Sequence, residues 1–374
     1  MNQMSNVSSL SVPGAARTTR KEAASVEFRN VTKRYGKVTA VDSVSFSIAP
    51  GELVTLLGPS GCGKTTTLRM IAGLEMASEG QILIGNRDVT NLSAADRDVS
   101  MVFQSYALFP HMSVLENVAY GPSVQGIPKK EAHAMAMEKL GLVGLTGLEK
   151  RAPSELSGGQ QQRVAVARAL VLEPQVLLFD EPLSNLDAKL RRRVREDIRE
   201  LQQSLNLTVA YVTHDQEEAL AVSDRIIVMS NARIAQTGAP RELYEEPADL
   251  FVADFIGDAN ILDGTLLSRE GSDAQVRIGG VVLTLPHRGA NPGPVKLAVR
   301  PDAILLEEGP AGEGVLAGTV RKASYLGTQV EYDVESPIGT LFVVQYGRKE
   351  PIAPGTPVSI SLTRQRGVAV IPNA

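Results

Sequence analysis

The hydrophobic positions follow two different patterns along the chain. Before about residue 257, short apolar runs alternate with helix-length amphipathic stretches, and the clearest runs are Leu53–Leu57, Val176–Phe179 and Val209–Val212. A continuous apolar run of this length is typical of a strand buried on both faces. Its alternation with helices predicts a mostly parallel sheet covered by helices.

One amphipathic helix is predicted by spacing alone, because apolar residues recur every three or four positions at Leu190, Val194, Ile198, Leu201 and Leu205. The charged residues between them are Arg191, Arg192, Arg193, Arg195, Glu196, Asp197, Arg199 and Glu200. We interpret these charges as the solvated face of the helix rather than as a nucleic-acid surface.

The segment Gly257–Ala374 has a different composition. It holds 16 of the 33 glycines and 10 of the 21 prolines in fewer than a third of the residues. It also carries short β-rich runs separated by turn residues, which predict a small all-β domain. These runs are Val276–Ile278, Val281–Leu285, Val295–Val299, Gly318–Ala323, Val330–Val334, Leu341–Val344, Pro357–Leu362 and Val368–Ile371.

Composition narrows the class of protein. A chain of 374 residues predicts two to three domains, and 43% apolar with 21% charged residues is the balance of a soluble globular protein. The longest run without Asp, Glu, Lys or Arg is Val99–Leu115, whose 17 residues fall short of the about 20 that span a bilayer. A net charge of −4 argues against a duplex-binding protein, and the single cysteine excludes an internal disulfide framework.

The segment Met1–Lys21 has no acidic residue and many Ser and Thr. A disordered tail over residues 1–25 is the favoured interpretation. An organelle-targeting segment is the alternative, because transit peptides share this composition.

A phosphate-binding loop is the strongest motif, since the chain matches the pattern G-x-x-x-x-G-K-S/T. The match directly follows the apolar run Leu53–Leu57 and precedes a helix-forming stretch, Thr66–Ala72. Backbone N–H groups of such a loop point at phosphate oxygens, Lys64 would bridge the β and γ phosphates, and Thr65 would bind Mg²⁺. The matching residues are Gly58, Pro59, Ser60, Gly61, Cys62, Gly63, Lys64 and Thr65. We interpret Cys62 as a small loop residue, with a reactive thiol as the alternative.

A pair of acids follows the second apolar run, where Val176–Phe179 leads directly into Asp180 and Glu181. Asp180 suits a position on Mg²⁺, and Glu181 would polarise the attacking water. The alternative for the pair alone is an ordinary loop carboxylate, which the phosphate loop upstream disfavours.

Many protein classes share these two motifs, so other residues must separate them. No Asn is followed by Lys, which removes the guanine-reading motif of GTPases. The decisive string is Leu156-Ser157-Gly158-Gly159-Gln160, which ends 20 residues before Asp180. It resembles the signature of the ABC ATPases, and the chain is identified as similar to the ATP-binding subunits of bacterial ABC importers.

The resemblance implies a P-loop NTPase fold in which two copies enclose two MgATP head to tail. In each site the signature residues Ser157, Gly158, Gly159 and Gln160 of one copy would face the γ-phosphate held by the loop of the other. The alternative for this string alone is a flexible glycine turn that caps a helix.

Further positions match the family residue by residue. Tyr35 resembles the aromatic that stacks on adenine, Gln104 the glutamine that senses Mg²⁺ and water, and His214 the switch histidine on the γ-phosphate. Asp187 matches the loop that crosses the dimer seam, and Thr66 completes the nucleotide-binding set. The other histidines, His111, His133 and His287, are interpreted as structural or surface residues.

The resemblance also extends to the importer type. The stretch Tyr106–Val114 is expected to be a mostly apolar, exposed groove for a permease segment. Ala298-Val299-Arg300-Pro301 resembles the small TOBE-like barrel of importer ATPases. The expected domains are the ATPase over 26–260 and the β domain over 261–374.

The resemblance implies partners and a location as well. The partners are a second copy, two integral-membrane permease subunits and, indirectly, a solute-binding protein, with no nucleic acid. The location is the cytoplasmic face of the inner membrane, as a peripheral protein.

The transported solute is ranked only by resemblance, because the ATPase does not touch it. The strings around Gln104, His214 and Tyr244 look closest to polyamine (spermidine/putrescine) importers, with ferric iron, 2-aminoethylphosphonate, maltose-type sugar and sulfate as alternatives.

A soluble ABC ATPase acting on nucleic acid or the ribosome is the alternative class of protein. It is disfavoured because there is one phosphate loop and no long heptad repeat. A stand-alone regulatory ATP-binding module is a third possibility.

Overall fold

A computed structural model describes residues 23–312, 315–362 and 367–371. Most of the predicted N-terminal tail, residues 1–22, lies outside the described residues. The helices are α1 Lys64–Ala72, α2 Val114–Val124, α3 Lys129–Leu142, α4 Gly158–Leu170, α5 Ala188–Leu205, α6 Gln216–Val222, α7 Pro240–Glu245 and α8 Leu250–Phe255.

The strands of the N-terminal part are β1 Val26–Tyr35, β2 Val38–Ile48, β3 Leu53–Leu57, β4 Glu79–Ile84, β5 Arg87–Asp88, β6 Val99–Val102, β7 Val176–Asp180, β8 Thr208–Thr213, β9 Arg225–Ser230 and β10 Arg233–Gly238. Those of the C-terminal part are β11 Asn260–Glu270, β12 Asp273–Ile278, β13 Val281–Pro286, β14 Gly293–Val299, β15 Ile304–Glu308, β16 Leu316–Tyr325, β17 Gln329–Ser336, β18 Gly339–Tyr346, β19 Pro357–Leu362 and β20 Val368–Ile371.

A six-stranded sheet with the order β10-β9-β3-β8-β7-β6 forms the centre of the N-terminal part. All neighbouring pairs are parallel except β10 with β9. Every residue of β3, β7 and β8 is buried, which confirms the predicted parallel sheet. Helix α1 lies between this sheet and an antiparallel sheet of order β2-β1-β4-β5, because side chains of both sheets and of α1 share one apolar core.

Helices α2, α3 and α4 form a separate helical region with its own core, which includes Val118, Ala136 and Val164. Helix α2 begins at a capping box in which the Ser113 hydroxyl accepts from the Glu116 N–H, while the Glu116 carboxylate accepts from the Ser113 N–H. This region carries the signature string at the start of α4.

Helix α5 confirms the amphipathic helix that the spacing of apolar residues predicted. Asp187 is its N-cap, and the Asp187 carboxylate accepts a hydrogen bond from the Leu190 N–H at 3.0 Å. The charged residues predicted to form a solvated face are exposed or half-exposed, and several of them also form ion pairs with neighbouring elements. Arg199 pairs with Asp224, Asp197 pairs with Arg163 of α4, and Arg191 pairs with Asp215 at 3.2 Å. These ion pairs tie α5 to its neighbours, which charge alternation alone did not indicate.

The C-terminal part consists of two five-stranded antiparallel sheets, β13-β12-β11-β14-β20 and β15-β19-β16-β17-β18, which enclose one apolar core. All eight predicted runs are strands. Two further strands, β11 and β15, were not predicted. Only Leu262 and Leu266 of β11 are buried among its 11 residues, so its apolar pattern is too sparse to identify it.

Arg300 joins the two parts of the chain. Its side chain is buried, and its guanidinium donates to the carbonyls of Tyr244, Ala253 and Ile256 at the ends of α7 and α8. The guanidinium carbon also lies 4.3 Å from the Tyr244 ring centroid. Burial and the nearby Asp302 raise the pKa of Tyr244 to about 12.

No helix within the described residues is both long enough and apolar enough to span a membrane. The run Val99–Leu115 divides into the strand β6, a connecting segment and the first residues of α2.

Candidate nucleotide site

The predicted site residues meet because four parallel strands end at the same edge of the central sheet. Strand β3 leads to the phosphate loop, β8 to His214, β7 to Glu181 and β6 to Gln104. Leu57 is opposite Thr213, and Phe179 is opposite both Tyr211 and Val102. In open α/β sheets this carboxyl edge is where ligands bind.

The phosphate loop has the backbone that its glycines permit. Gly58, Gly61 and Gly63 have positive φ angles of 156°, 81° and 106°, and a Cβ at Gly58 would collide with the Met229 carbonyl. The Lys64 ammonium is buried and donates to the carbonyls of Gly58 at 2.7 Å and Pro59 at 2.9 Å. Helix α1 begins at Lys64, two residues before the predicted start, so its N-terminal end lies directly at the loop.

Cys62 lies inside the loop with its side chain buried. Its sulfur is 3.8 Å from the Lys64 ammonium and packs into the apolar core between the two N-terminal sheets. This placement supports the interpretation of Cys62 as a small packing residue.

Asp180 ends β7 beside the phosphate loop. The Thr65 hydroxyl donates to its Oδ1 at 3.5 Å, across 115 residues of sequence. Burial raises the pKa of Asp180, and the nearby Glu181 adds to the effect while Arg69 and Thr65 oppose it. The Thr65 hydroxyl and the Asp180 carboxylate therefore lie side by side next to the phosphate loop.

Glu181 is next to His214, with its Oε2 3.1 Å from the histidine Nδ1. Its backbone is left-handed, with a φ of 45°, which is uncommon for a residue other than glycine. The Glu181 N–H donates to the Val212 carbonyl at 3.0 Å, and its own carbonyl accepts from the Ser184 hydroxyl at 3.0 Å. The neighbouring strand and the following turn thus hold the strained residue, a pattern that is concentrated at functional sites.

A buried hydrogen-bond network supports the turn at His214, and the sequence reasoning missed it. The Glu218 carboxylate accepts from the hydroxyls of Tyr211 and Thr213, and Thr213 accepts from the Asp215 N–H at 3.0 Å. Burial raises the pKa of Glu218, although both hydroxyl donors lower it. The available signal was the set of polar residues Thr213, Asp215 and Glu218 at and just after the end of a buried strand.

Gln104 follows β6 and its side chain is exposed. Its carbonyl accepts from the Asn185 side chain at 3.0 Å, so the loop that contains Asp187 holds Gln104 in place. Asn185 lies two residues before Asp187 in the same loop, but the sequence spacing alone did not indicate its contact with Gln104.

The expectation that Tyr106–Val114 is an exposed stretch is correct only in part. Tyr106 and Val114 are buried in the core, whereas Ala107, Pro110 and His111 are exposed. The error arises because an apolar run looks the same whether its side chains pack inward or face a partner.

A crevice of about 500 Å³ lies beside this stretch and includes His111, Met112, Tyr120 and His133 in its lining. His111 and His133, which were interpreted separately as structural or surface residues, thus line the same crevice. His287 interacts with the Gly271 carbonyl in the C-terminal part, away from this crevice.

Tyr35 ends β1 and remains 46% exposed. Its hydroxyl interacts with Glu75 and with Thr66 of the phosphate-loop helix, and burial together with Glu75 raises its pKa. The Lys33 ammonium lies 4.8 Å from the ring centroid.

The signature string forms the start of α4 rather than a flexible turn. Ser157 is the N-cap in a capping box with Gln160, and both glycines are helical. A Cβ at Gly159 would lie 2.9 Å from the Leu190 side chain, so glycine here allows α4 to pack against α5. Within residues 23–312, no hydrogen bond joins Ser157, Gly159 or Asp187 to the phosphate loop of the same chain.

Family models match both parts of the chain. Residues 41–184 match the ABC transporter family, and residues 297–370 match the TOBE domain. The phosphate loop, the signature string and the acid pair all lie within the first match.

Similar proteins extend this match over nearly the whole chain. It is 60% identical to the Fe(3+) ions import ATP-binding protein FbpC 1 of Rhizobium meliloti, over 93% of this chain and 98% of that protein. It is 53% identical to the Fe(3+) ions import ATP-binding protein FbpC of Escherichia coli, over 83% of this chain and 87% of that protein.

Among solved structures, the ATP-binding cassette MJ0796, in a dimeric post-hydrolysis state bound to ADP and Pi, matches with a TM-score of 0.52 and 33% identity. The match covers 58% of this chain and 99% of that one. The predicted fold, a P-loop ATPase followed by a small β domain, is therefore confirmed. Together the strand-end geometry, the two family matches and the similar proteins show that this chain belongs to the ATP-hydrolysing, ATP-binding subunits of ABC importers that carry a C-terminal TOBE domain.

Proposed function

We propose that this chain drives the import of ferric iron. The observation that carries the proposal is its 60% identity, over 98% of the relative's length, to a protein named for Fe(3+) import. Similar proteins from Brucella abortus and Escherichia coli bear the same Fe(3+) name at 58% and 53% identity.

This proposal reverses the order in which the sequence motifs ranked the solutes. The strings around Gln104, His214 and Tyr244 favoured polyamines, with ferric iron second. Those strings lie in the nucleotide site and at the joint between the two parts, where no solute contact is expected. Identity over the full length includes the surface that must match a permease, so it is the better guide.

In the proposed nucleotide site, the loop N–H groups of Gly58 to Thr66 cradle the phosphates of ATP. Lys64 turns its ammonium from the loop carbonyls to the β and γ phosphates, and the N-terminal end of α1 adds its positive dipole. Tyr35 stacks on the adenine ring.

The residues present fit a magnesium ion. The Thr65 hydroxyl and the Asp180 carboxylate are hard oxygen donors within 3.5 Å of each other, and Mg²⁺ in nucleotide sites is held by one or two such groups plus phosphate oxygens and water. Gln104, at the end of the adjacent strand, is the third residue on this side. When bound, the ion neutralises phosphate charge.

Glu181 is the proposed general base for the attacking water, and His214 holds the γ-phosphate. The 3.1 Å contact between Glu181 and His214 supports this assignment, because the two side chains approach the same position from adjacent strands.

A second copy completes each site in this proposal. The N-terminal end of α4, where Ser157 and Gln160 form a capping box and Gly158 and Gly159 are the first helical residues, is the proposed anion site for the γ-phosphate of the other copy. Asp187 lies at the start of α5, which packs against Gly159. The dimeric state of the similar cassette MJ0796 supports this arrangement.

In the same proposal, two permease subunits dock beside the segment after Gln104 and hold the chain at the inner face of the membrane. A solute-binding protein delivers iron on the other side.

In this proposal the ATPase domain spans residues 26–260 and the β domain spans residues 261–374. The start of β11 at Asn260 supports that boundary.

The test is solute uptake by cells that lack this chain. Wild-type protein is expected to restore uptake of radiolabelled ferric iron, and Glu181→Gln is expected to fail. Spermidine uptake should be the same with and without the chain. Loss of spermidine uptake with unchanged ferric-iron uptake would instead support the polyamine ranking.

A further inference from the structure

We infer that Arg168 is a positioning residue that fixes the permease-facing segment Tyr106–Phe109 to the signature helix, so that the two elements move together. The inference rests on the proposed docking of a permease at this segment. It assigns a role to a residue outside the motifs that bind nucleotide.

The contact is specific in geometry. One Arg168 nitrogen donates to the Ala107 carbonyl at 2.7 Å and the other donates to the Tyr106 carbonyl at 2.8 Å. The guanidinium carbon lies 5.7 Å from the Phe109 ring centroid. A planar guanidinium can make this forked contact with two successive carbonyls, whereas a lysine ammonium is a single point of charge.

The segment needs such a partner because its backbone is in an unusual conformation. Tyr106 and Ala107 have φ angles of 61° and 48°, and two successive left-handed residues that are not glycine are uncommon. The Tyr106 side chain is buried in the core, and its carbonyl accepts from Arg168 of α4. On the other side, the Asn117 amide donates to the carbonyls of Phe109 at 3.1 Å and Ser113 at 3.0 Å. Arg168 and Asn117 therefore hold the two ends of the segment.

Gln104 is held separately from this segment. Its carbonyl bonds to Asn185, which lies in the loop before α5. The nucleotide-facing residue and the permease-facing segment are adjacent in sequence but are attached to different elements. Disturbing the Arg168 contact should consequently affect coupling to the permease rather than hydrolysis.

The position of Arg168 in α4 connects its contact with the segment to the signature residues. Arg168 lies in the last turn of α4, whose N-cap is Ser157 and whose first residues are Gly158 and Gly159. A helix is rigid over this length, so a displacement of its N-terminal end by ATP in a dimer is transmitted to Arg168 and to the segment.

The test compares purified wild type with Arg168→Lys, and with Arg192→Lys as a matched control. Arg192 is on the exposed surface of α5, where its side chain is 76% exposed and bonds only to Glu196 among the described residues. Two activities are measured: ATP hydrolysis by the isolated subunit, and its stimulation by the permease that co-purifies with the chain, reconstituted in vesicles.

We expect Arg168→Lys to keep basal hydrolysis and the KM for ATP within about twofold of wild type and to lose at least about tenfold of the permease stimulation, because the ammonium cannot hold both carbonyls. Arg192→Lys should behave as wild type. Full stimulation in Arg168→Lys, or an equal loss of basal and stimulated rates, would overturn the inference.

A second variant separates positioning from folding. Ala107→Gly removes the backbone strain at an exposed residue, so Arg168→Lys/Ala107→Gly should recover part of the lost stimulation. No recovery, with the thermal unfolding midpoint of Arg168→Lys lowered, would mean that Arg168 only stabilises the fold. If wild type is stimulated by its permease but cells that contain the chain take up no more ferric iron than cells that lack it, the solute proposal fails while the Arg168 comparison stands. A wild type that no co-purified permease stimulates would contradict both.

Discussion

The two parts of this chain use β-sheets in opposite ways. In the central six-stranded sheet, parallel strands bring Lys64, Gln104, Glu181 and His214 to one edge, although they come from four separate stretches of sequence. In the C-terminal part, antiparallel strands alternate in direction, so the residues that follow them are divided between two edges. A parallel sheet thus collects chemical groups on one side, whereas the C-terminal sheets mainly build a core.

The polar interiors of the two parts differ in the same way. Asp180 and Glu218 lie near the strand ends of the central sheet, and burial raises the pKa of each. Among the described residues of the C-terminal part the buried charge is Arg300, and its hydrogen bonds are directed to α7 and α8. We therefore expect catalysis to depend on the first region and cohesion of the chain on the second.

The largest effect should come from Glu181→Gln. Loss of a general base costs about a thousandfold in turnover, so hydrolysis should nearly stop while MgATP binding stays within a few fold of wild type. Steady-state phosphate release and nucleotide titration measure the two quantities, and size-exclusion chromatography with MgATP should detect a dimer.

Glu217→Gln is the matched control for that change, because Glu217 lies near His214 but its side chain is exposed. It should hydrolyse ATP at the wild-type rate. Normal turnover in Glu181→Gln would show that the Glu181 carboxylate is not the general base for ATP hydrolysis.

A smaller effect, on stability rather than turnover, is expected for Arg300→Met. The change leaves the carbonyls of Tyr244, Ala253 and Ile256 without their donor, at a cost of about 3 kcal/mol in the free energy of unfolding. Denaturant unfolding should show the C-terminal part separating in a transition of its own.

Arg277→Met removes an exposed arginine from β12 and should leave the unfolding curve unchanged. If Arg300→Met unfolded as one unit with the wild-type midpoint, the joint between the two parts would have to be held by the apolar contacts around Ala253 and Ala298 instead.

The smallest effect should follow Tyr35→Ala. Stacking of a base on an aromatic ring contributes about 1–3 kcal/mol, so the dissociation constant for ATP should rise about tenfold with little change in turnover at saturation. Titration with a fluorescent ATP analogue measures this constant.

Tyr35→Phe keeps the ring and removes the hydroxyl that interacts with Glu75 and Thr66. It should bind ATP nearly as well as wild type. Equal binding by wild type and Tyr35→Ala would place the adenine elsewhere on the protein.

Much of this protein was determined by its sequence alone. The buried apolar runs predicted the central sheet. The glycine spacing before Lys64 predicted the phosphate-binding loop, whose glycines have positive φ angles. The phosphate-loop motif is local, because its residues are adjacent in the chain and its glycines allow the positive φ angles that the loop requires.

Only the tertiary structure decided which distant residues meet. Thr65 and Asp180 are 115 residues apart, Glu181 and His214 are 33 apart, and Arg168 and Tyr106 are 62 apart. These contacts follow from the strand order β3-β8-β7-β6 and from the packing of α4 on the segment after β6. Neither leaves a periodic pattern in the sequence, because strand order and helix packing depend on long-range burial rather than on neighbouring residues.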